Sequence, residues 1–180
     1  FEKRKPRARE IVMLVCMISF AVIGRVIFYM TPQVKPCAAI IIITGIALGK
    51  KAGFLTGAMT AFVSNFFMGQ GPWTPWQMVA FGLLGYIFGI AYSKRNVGSY
   101  IPKKQKNFIC FMGMLATIVV YGVIMDTDSP SVQAFITAYT AGFIMNVIHG
   151  ISTFIFLWFM LIPMLKKIDR VNIKYGMYVK

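Results

Sequence analysis

Carboxylates are scarce: the 180 residues include five Asp and Glu against nineteen Lys and Arg, with one His and three Cys. General acid–base or metal-assisted catalysis draws on clusters of such groups, so little of that chemistry is open to this chain. Glu2, Glu10 and Asp169 lie among basic residues and read as charge balance. Asp126 and Asp128 form a D-x-D that offers oxygens to a divalent cation, but no second carboxylate cluster completes such a site. Cys16, Cys37 and Cys110 fall in or beside apolar segments without metal-ligand spacing and read as small packing residues, not as disulfides. A phosphate loop is missing too. The string GIALGKK, residues 45–51, has three residues between its glycines where a phosphate loop needs four, and Lys follows Lys where Ser or Thr is required. The expectation is a chain that is not an enzyme, has no metal or resident cofactor, and leaves any work with ATP to partners.

What is present is apolar surface. Hydrophobic residues make up 58% of the chain and charged ones 13%, and apolar runs of membrane-crossing length recur along it. This indicates an all-α integral membrane protein. The net charge of +14 sits between apolar runs, where it contacts lipid headgroups and not nucleic acid. The basic start FEKRKPRARE precedes a run too long for a signal-peptide core, so a first span is expected there.

Six spans are drawn over residues 11–30, 37–49, 53–69, 76–93, 107–125 and 132–165. The second is short, as for a tilted or partly buried helix shielded by its neighbours. The last is too long for one straight crossing and is split into an outer amphipathic helix over 131–141 and a spanning helix over 143–165. Seventeen of the nineteen basic residues then fall on one side, leaving Lys35 on the other and Arg25 within the first span. The positive-inside rule places both termini in the cytoplasm of a multi-pass plasma-membrane protein. The chain reads as one transmembrane domain, 1–180, with a basic cytoplasmic segment 1–10, membrane helices over 11–165 and a cytoplasmic tail 166–180. Gly45, Gly49, Gly53 and Gly57 recur every four residues, with Gly82, Gly85 and Gly89 further on. Small residues so spaced predict close packing of the second, third and fourth helices.

The polar residues left inside this frame are the candidates for a site. SNFFMGQGPWTPWQM, residues 64–78, falls at the outer face, with TPQVKP (31–36) and DTDSPS (126–131) beside it. Trp73 and Trp76 suit an interfacial aromatic belt, but Asn65, Gln70 and Gln77 add neutral donors and acceptors, and Pro72 and Pro75 stiffen the loop. Flat rings with amides suit an organic ligand better than an ion. Asn146 and His149 share a helix face at i and i+3, serving either interhelical hydrogen bonds or a ligand. Arg25 either snorkels to the interface or meets a polar or anionic ligand group. Tyr139 and Asp126 complete the candidate set.

The blocks KPCAAIIIITGIALGKKAGFLTGAMTAFVSNFFMGQGPWTPWQM (Lys35 to Met78) and AGFIMNVIHGISTFIFLWFMLIPMLKKI (Ala141 to Ile168) resemble the substrate-binding S components of energy-coupling factor (ECF) vitamin transporters. The middle block looks most like the cobalamin branch; other branches handle riboflavin, dimethylbenzimidazole or queuosine precursors. The resemblance implies a six-helix subunit that captures a vitamin, cobalamin first, from outside. It also implies partnership with a transmembrane coupling protein and two ATPases. Members commonly carry an A-x-x-x-A pattern on the first helix for docking; here the matching face reads Val15 to Ser19, with Cys16 and Ala21 nearby. An ion-coupled secondary transporter is a separate reading, as is a subunit that only stabilises a complex. The first requires coupling-ion ligands and usually internal repeats or broken helices at mid-membrane, and no clear repeat is seen in the sequence.

Overall fold

The computed structural model describes residues 8–92, 101–126 and 131–175. Lys3, Arg4, Lys5, Arg7, Lys94, Arg95, Lys180, Glu2 and Asp128, on which part of the charge pattern and the D-x-D rest, lie outside them. Among the described residues six helices form one bundle: α1 Ala8–Ile27, α2 Cys37–Leu48, α3 Lys50–Met68, α4 Thr74–Tyr92, α5 Lys103–Met125 and α6 Val132–Tyr175. Four of them, α1, α4, α5 and α6, are long and apolar enough to cross a membrane.

α2 is the hub. Its 12 residues CAAIIIITGIAL span about 18 Å at 1.5 Å per residue, well short of a hydrocarbon core. All but Ala47 are buried, under α1, α3, α4 and α6. A helix apolar on every side belongs inside a bundle, and the short second span is therefore fully enclosed. Gly49 alone joins α2 to α3, at φ 92° and ψ 170°, a left-handed conformation that favours glycine. Lys50 and Lys51, expected in a loop, occupy the first turn of α3, because this one-residue joint leaves them nowhere else to go.

The glycine pattern packs three backbones together, as its spacing predicts. A Cβ added at Gly45 would lie 2.2 Å from the carbonyl oxygen of Gly85, and one at Gly53 would lie 2.4 Å from the same atom. A Cβ at Gly57 would meet the Phe81 carbonyl at 2.2 Å. Each contact is backbone on backbone, so dispersion and close approach hold α2, α3 and α4 as one block.

The split of the last apolar stretch is corrected: Val132–Tyr175 is one helix of 44 residues, about 66 Å long. Gly142 was the natural break, but one helical glycine costs only about 1 kcal/mol relative to Ala and no cap motif follows it. Thr137 and Thr140 bond back to the carbonyls of Gln133 and Ile136 (2.9 and 2.8 Å), within the unbroken ladder. Pro163 interrupts one hydrogen bond without ending the helix.

Gly85→Ala is expected to lower the midpoint of thermal unfolding in detergent, by about 1–3 kcal/mol of overpacking. Gly82→Ala, whose new methyl meets first the exposed side-chain ring of Phe54 and not backbone, should cost clearly less. Equal midpoints for the two variants would contradict the three-backbone contact.

Candidate functional site

At the end of the bundle that carries the 28–36 and 69–73 connections, polar side chains from four helices meet in a continuous chain. Arg25 of α1 is 5% exposed, and its Nη1 donates to Ser64 Oγ and to Asn65 Oδ1 (3.1 Å) on α3. Asn65, 1% exposed, donates through Nδ2 to Thr74 Oγ1 (3.0 Å) and to Gln77 Oε1 (2.9 Å) on α4. Gln77 Nε2 donates to the Tyr121 hydroxyl (2.9 Å) on α5. Buried amides satisfied on both faces are fixed in orientation, since losing a partner leaves a desolvated group unpaired.

An aromatic cluster adjoins this chain. The Phe81 ring stands 4.9 Å from that of Tyr121 and 6.1 Å from His149, and Tyr121 meets His149 edge-on at 4.8 Å. The Arg25 guanidinium lies 5.5 Å from the Phe81 centroid, within cation–π range. His149 is 2% exposed, and neither ring nitrogen has a hydrogen-bond partner among the described residues. One turn further along α6, Ser152 Oγ accepts from the Lys35 backbone N–H (3.0 Å), pinning the α1–α2 connection over this face.

Tyr121 owes its direction to a π turn over Thr117–Tyr121 inside α5. Gly113, Thr117 and Tyr121 are all buried, yet steps of four residues drift by about 40° each in a regular α-helix. A π turn takes up that drift, and such turns are frequent at functional sites.

Of the sequence candidates, Arg25, Asn65 and Gln77 join one network and His149 meets it through the rings. Asn146 and Tyr139 pack on α5 at Gly122, where an added Cβ would lie 2.6 Å from Asn146 Nδ2 and 3.3 Å from Tyr139 Cε2. Phe135, Tyr139 and Phe143 form a run of neighbouring rings along α6. Asp126 ends α5, half-buried. Trp73 and Trp76 remain outside the network and exposed, and Gln70, also exposed, meets only its edge at Thr74. Gln70 braces the connection, its Oε1 accepting from Thr74 Oγ1 (2.9 Å) and its Nε2 donating to the Phe62 carbonyl (3.2 Å). Trp73 folds back over Gly71. Ser64, Thr74, Phe81 and Tyr121 were missed: two are small hydroxyls on helices, and two read as apolar bulk until the fold placed them. Among the described residues no three His, Cys, Asp or Glu side chains gather as a metal site.

The first-helix residues divide. Val15, Cys16 and Ser19 are exposed, whereas Ala21 is fully buried in the core and is corrected out of that face, since position 21 lies on the opposite side of the helix. Cys16 also lines a groove of about 330 Å³ with Met13, Met17, Phe20, Met160 and Met164.

Residues 7–167, nearly the whole chain, match the family model described as ECF-type riboflavin transporter, S component. The chain belongs to this family. No curated protein and no solved structure matches it. As an S component, it is a multi-pass membrane protein of a transporter family, and the buried polar chain lies within the matched region.

Asn65→Leu is expected to destabilise the detergent-solubilised S component by about 1–3 kcal/mol, because Gln77 Oε1 and an Arg25 N–H lose their partner. Gln70→Ala, on the exposed connection, should move the midpoint far less. A ranking with Gln70→Ala the more damaging would show that the network is not structurally engaged as described.

Proposed function

We propose that this S component captures a planar, amide-bearing vitamin at the outer face and delivers it inward with a coupling protein and two ATPases. The observation that carries the reading is the Asn65–Gln77–Tyr121 chain beside the Phe81–Tyr121–His149 rings: oriented amide and hydroxyl groups next to aromatic faces. Such a set reads the hydrogen-bonding edge of a heteroaromatic ring while the ring itself meets apolar and aromatic surface. A flavin has this shape, and the family's description favours riboflavin. Cobalamin, first from the resemblance of the Lys35–Met78 block, is the second reading. The exposed Trp73 and Trp76 rings support it, because a wide aromatic lip suits a bulkier ligand with peripheral amides. With both termini in the cytoplasm, the basic helix ends face inward and this site faces out, consistent with capture from outside.

The coupling protein is assigned to the exposed face of α1 around Val15, Cys16 and Ser19. That face is continuous with the Met-rich groove to α6, an adaptable surface for a partner helix.

Two experiments test this reading. Purified chain titrated with riboflavin should quench flavin fluorescence saturably at one site, and Gln77→Leu should weaken binding about tenfold or more, the value of one lost buried hydrogen bond. Saturable cobalamin binding in its place would move the assignment to the second reading, and binding of neither would overturn it. Separately, Val15→Trp should reduce vitamin uptake by cells co-expressing the ATPase module while leaving binding to the isolated chain unchanged. Undiminished uptake would remove α1 from the docking surface.

A further inference from the structure

The end of the bundle opposite the polar chain carries a feature that the proposed vitamin site does not use. A groove of about 520 Å³ opens between α3 and α4, lined by Lys51, Phe54 and Leu55 on one side and by Leu83 and Tyr86 on the other. A glycine shapes it. Position 82 has no side chain, so the Phe54 ring lies against α4 there, where an added Cβ would stand 2.7 Å from Phe54 Cε2. Phe54 and Leu55 are exposed, and Leu83 and Tyr86 are half-buried, as the walls of an open furrow.

This groove is polar at one end only. Gly53 approaches Gly85, and Gly57 approaches Phe81, backbone to backbone. That register sets Lys51 about level with Tyr86, and Leu55 level with Leu83 one turn further on. The Lys50 ammonium stands 5.8 Å from the centre of the Tyr86 ring, within cation–π range. Both lysines are exposed and belong to the first turn of α3, because Gly49 alone separates that helix from α2. Their charges are therefore carried by a helix packed on α4 and not by a loop. The positive-inside rule assigns this end to the cytoplasmic headgroups, a depth at which tyrosine rings also anchor.

Two cations beside a phenol, followed by an apolar furrow, follow the polarity of a lipid from head to tail. A soluble anion would use the lysines and leave Leu55 and Leu83 without a role. A partner helix would fill the leucine end but enclose ammonium groups, and burying charge is costly. Zwitterionic lipids fit the furrow yet bring a cation of their own toward the lysines. An anionic lipid suits both ends. We propose that the α3–α4 groove binds an anionic phospholipid, its phosphate held by Lys50 and Lys51 and one acyl chain seated along Phe54, Leu55 and Leu83. The lipid thereby ties to the inner leaflet the two helices that supply Asn65, Thr74 and Gln77 to the polar chain. This holds whichever vitamin is captured.

The purified chain, delipidated in detergent, is titrated with phosphatidylglycerol or with phosphatidylcholine of identical acyl chains, and native mass spectrometry counts the lipid retained. Phosphatidylglycerol should bind at least about tenfold more tightly and raise the midpoint of thermal unfolding further. The preference should fall as salt rises. Lys50→Gln combined with Lys51→Gln should remove it by weakening phosphatidylglycerol alone. Leu83→Trp, which fills the furrow without changing charge, should weaken both lipids, and it supplies the test should the double variant fail to fold. Equal binding of the two lipids by the wild-type chain would overturn the site. So would an undiminished preference in the double variant, or lipid binding untouched by Leu83→Trp. Inorganic phosphate raising the midpoint as much as phosphatidylglycerol would assign the lysines to a soluble anion and overturn the lipid reading. A dimer in the same spectra, lipid-free and broken by Leu83→Trp, would give the groove to a second copy of the chain and overturn it as well.

Discussion

A guanidinium buried in an apolar bundle has to be solvated by protein, and the hydrogen bond from Arg25 to Asn65 begins that solvation. Asn65 is then committed on its oxygen, which turns its amide nitrogen toward Thr74 and Gln77, and Gln77 is in turn committed toward Tyr121. One buried charge thus sets the direction of donors and acceptors on four helices. Exchanging the ends of any amide would place like groups face to face, so the chain has one low-energy arrangement. Such prior ordering lowers the entropy lost on binding a ligand.

The glycine contacts allow this chain to exist. Because Gly45, Gly53 and Gly85 let backbones touch, α3 and α4 approach closely enough for the short side chains of Asn65, Thr74 and Gln77 to reach one another. The same bundle buries α2, leaving the membrane-facing surface to longer helices. Packing at the centre and the polar chain at one end are consequences of one inter-backbone distance.

Most of the helices were legible in the sequence because apolar runs and charge alternation mark where segments start and stop; the glycine spacing announced which of them pack closely. The unbroken α6 was not legible, since a 34-residue apolar stretch exceeds one crossing and a lone glycine resembles a boundary. In the site, Arg25, Asn65, Gln77 and His149 stood out because polar groups are rare in spans. Ser64, Thr74 and Tyr121 did not, for their roles depend on distances between helices and, for Tyr121, on a π turn that no local pattern reveals. Trp73 and Trp76 drew attention by composition, yet the structure leaves them exposed, while the buried ring between Arg25 and His149 is Phe81.

The central claim is that the Arg25–Asn65–Gln77–Tyr121 chain is the surface on which the ligand is recognised. An experimental structure of the chain with its ligand bound tests this most directly. The expected result is a ring seated against the Phe81–Tyr121–His149 cluster, with the Asn65 or Gln77 amide within hydrogen-bonding distance of its polar edge. Ligand density in the groove between α1 and α6, with the polar chain untouched, would contradict it.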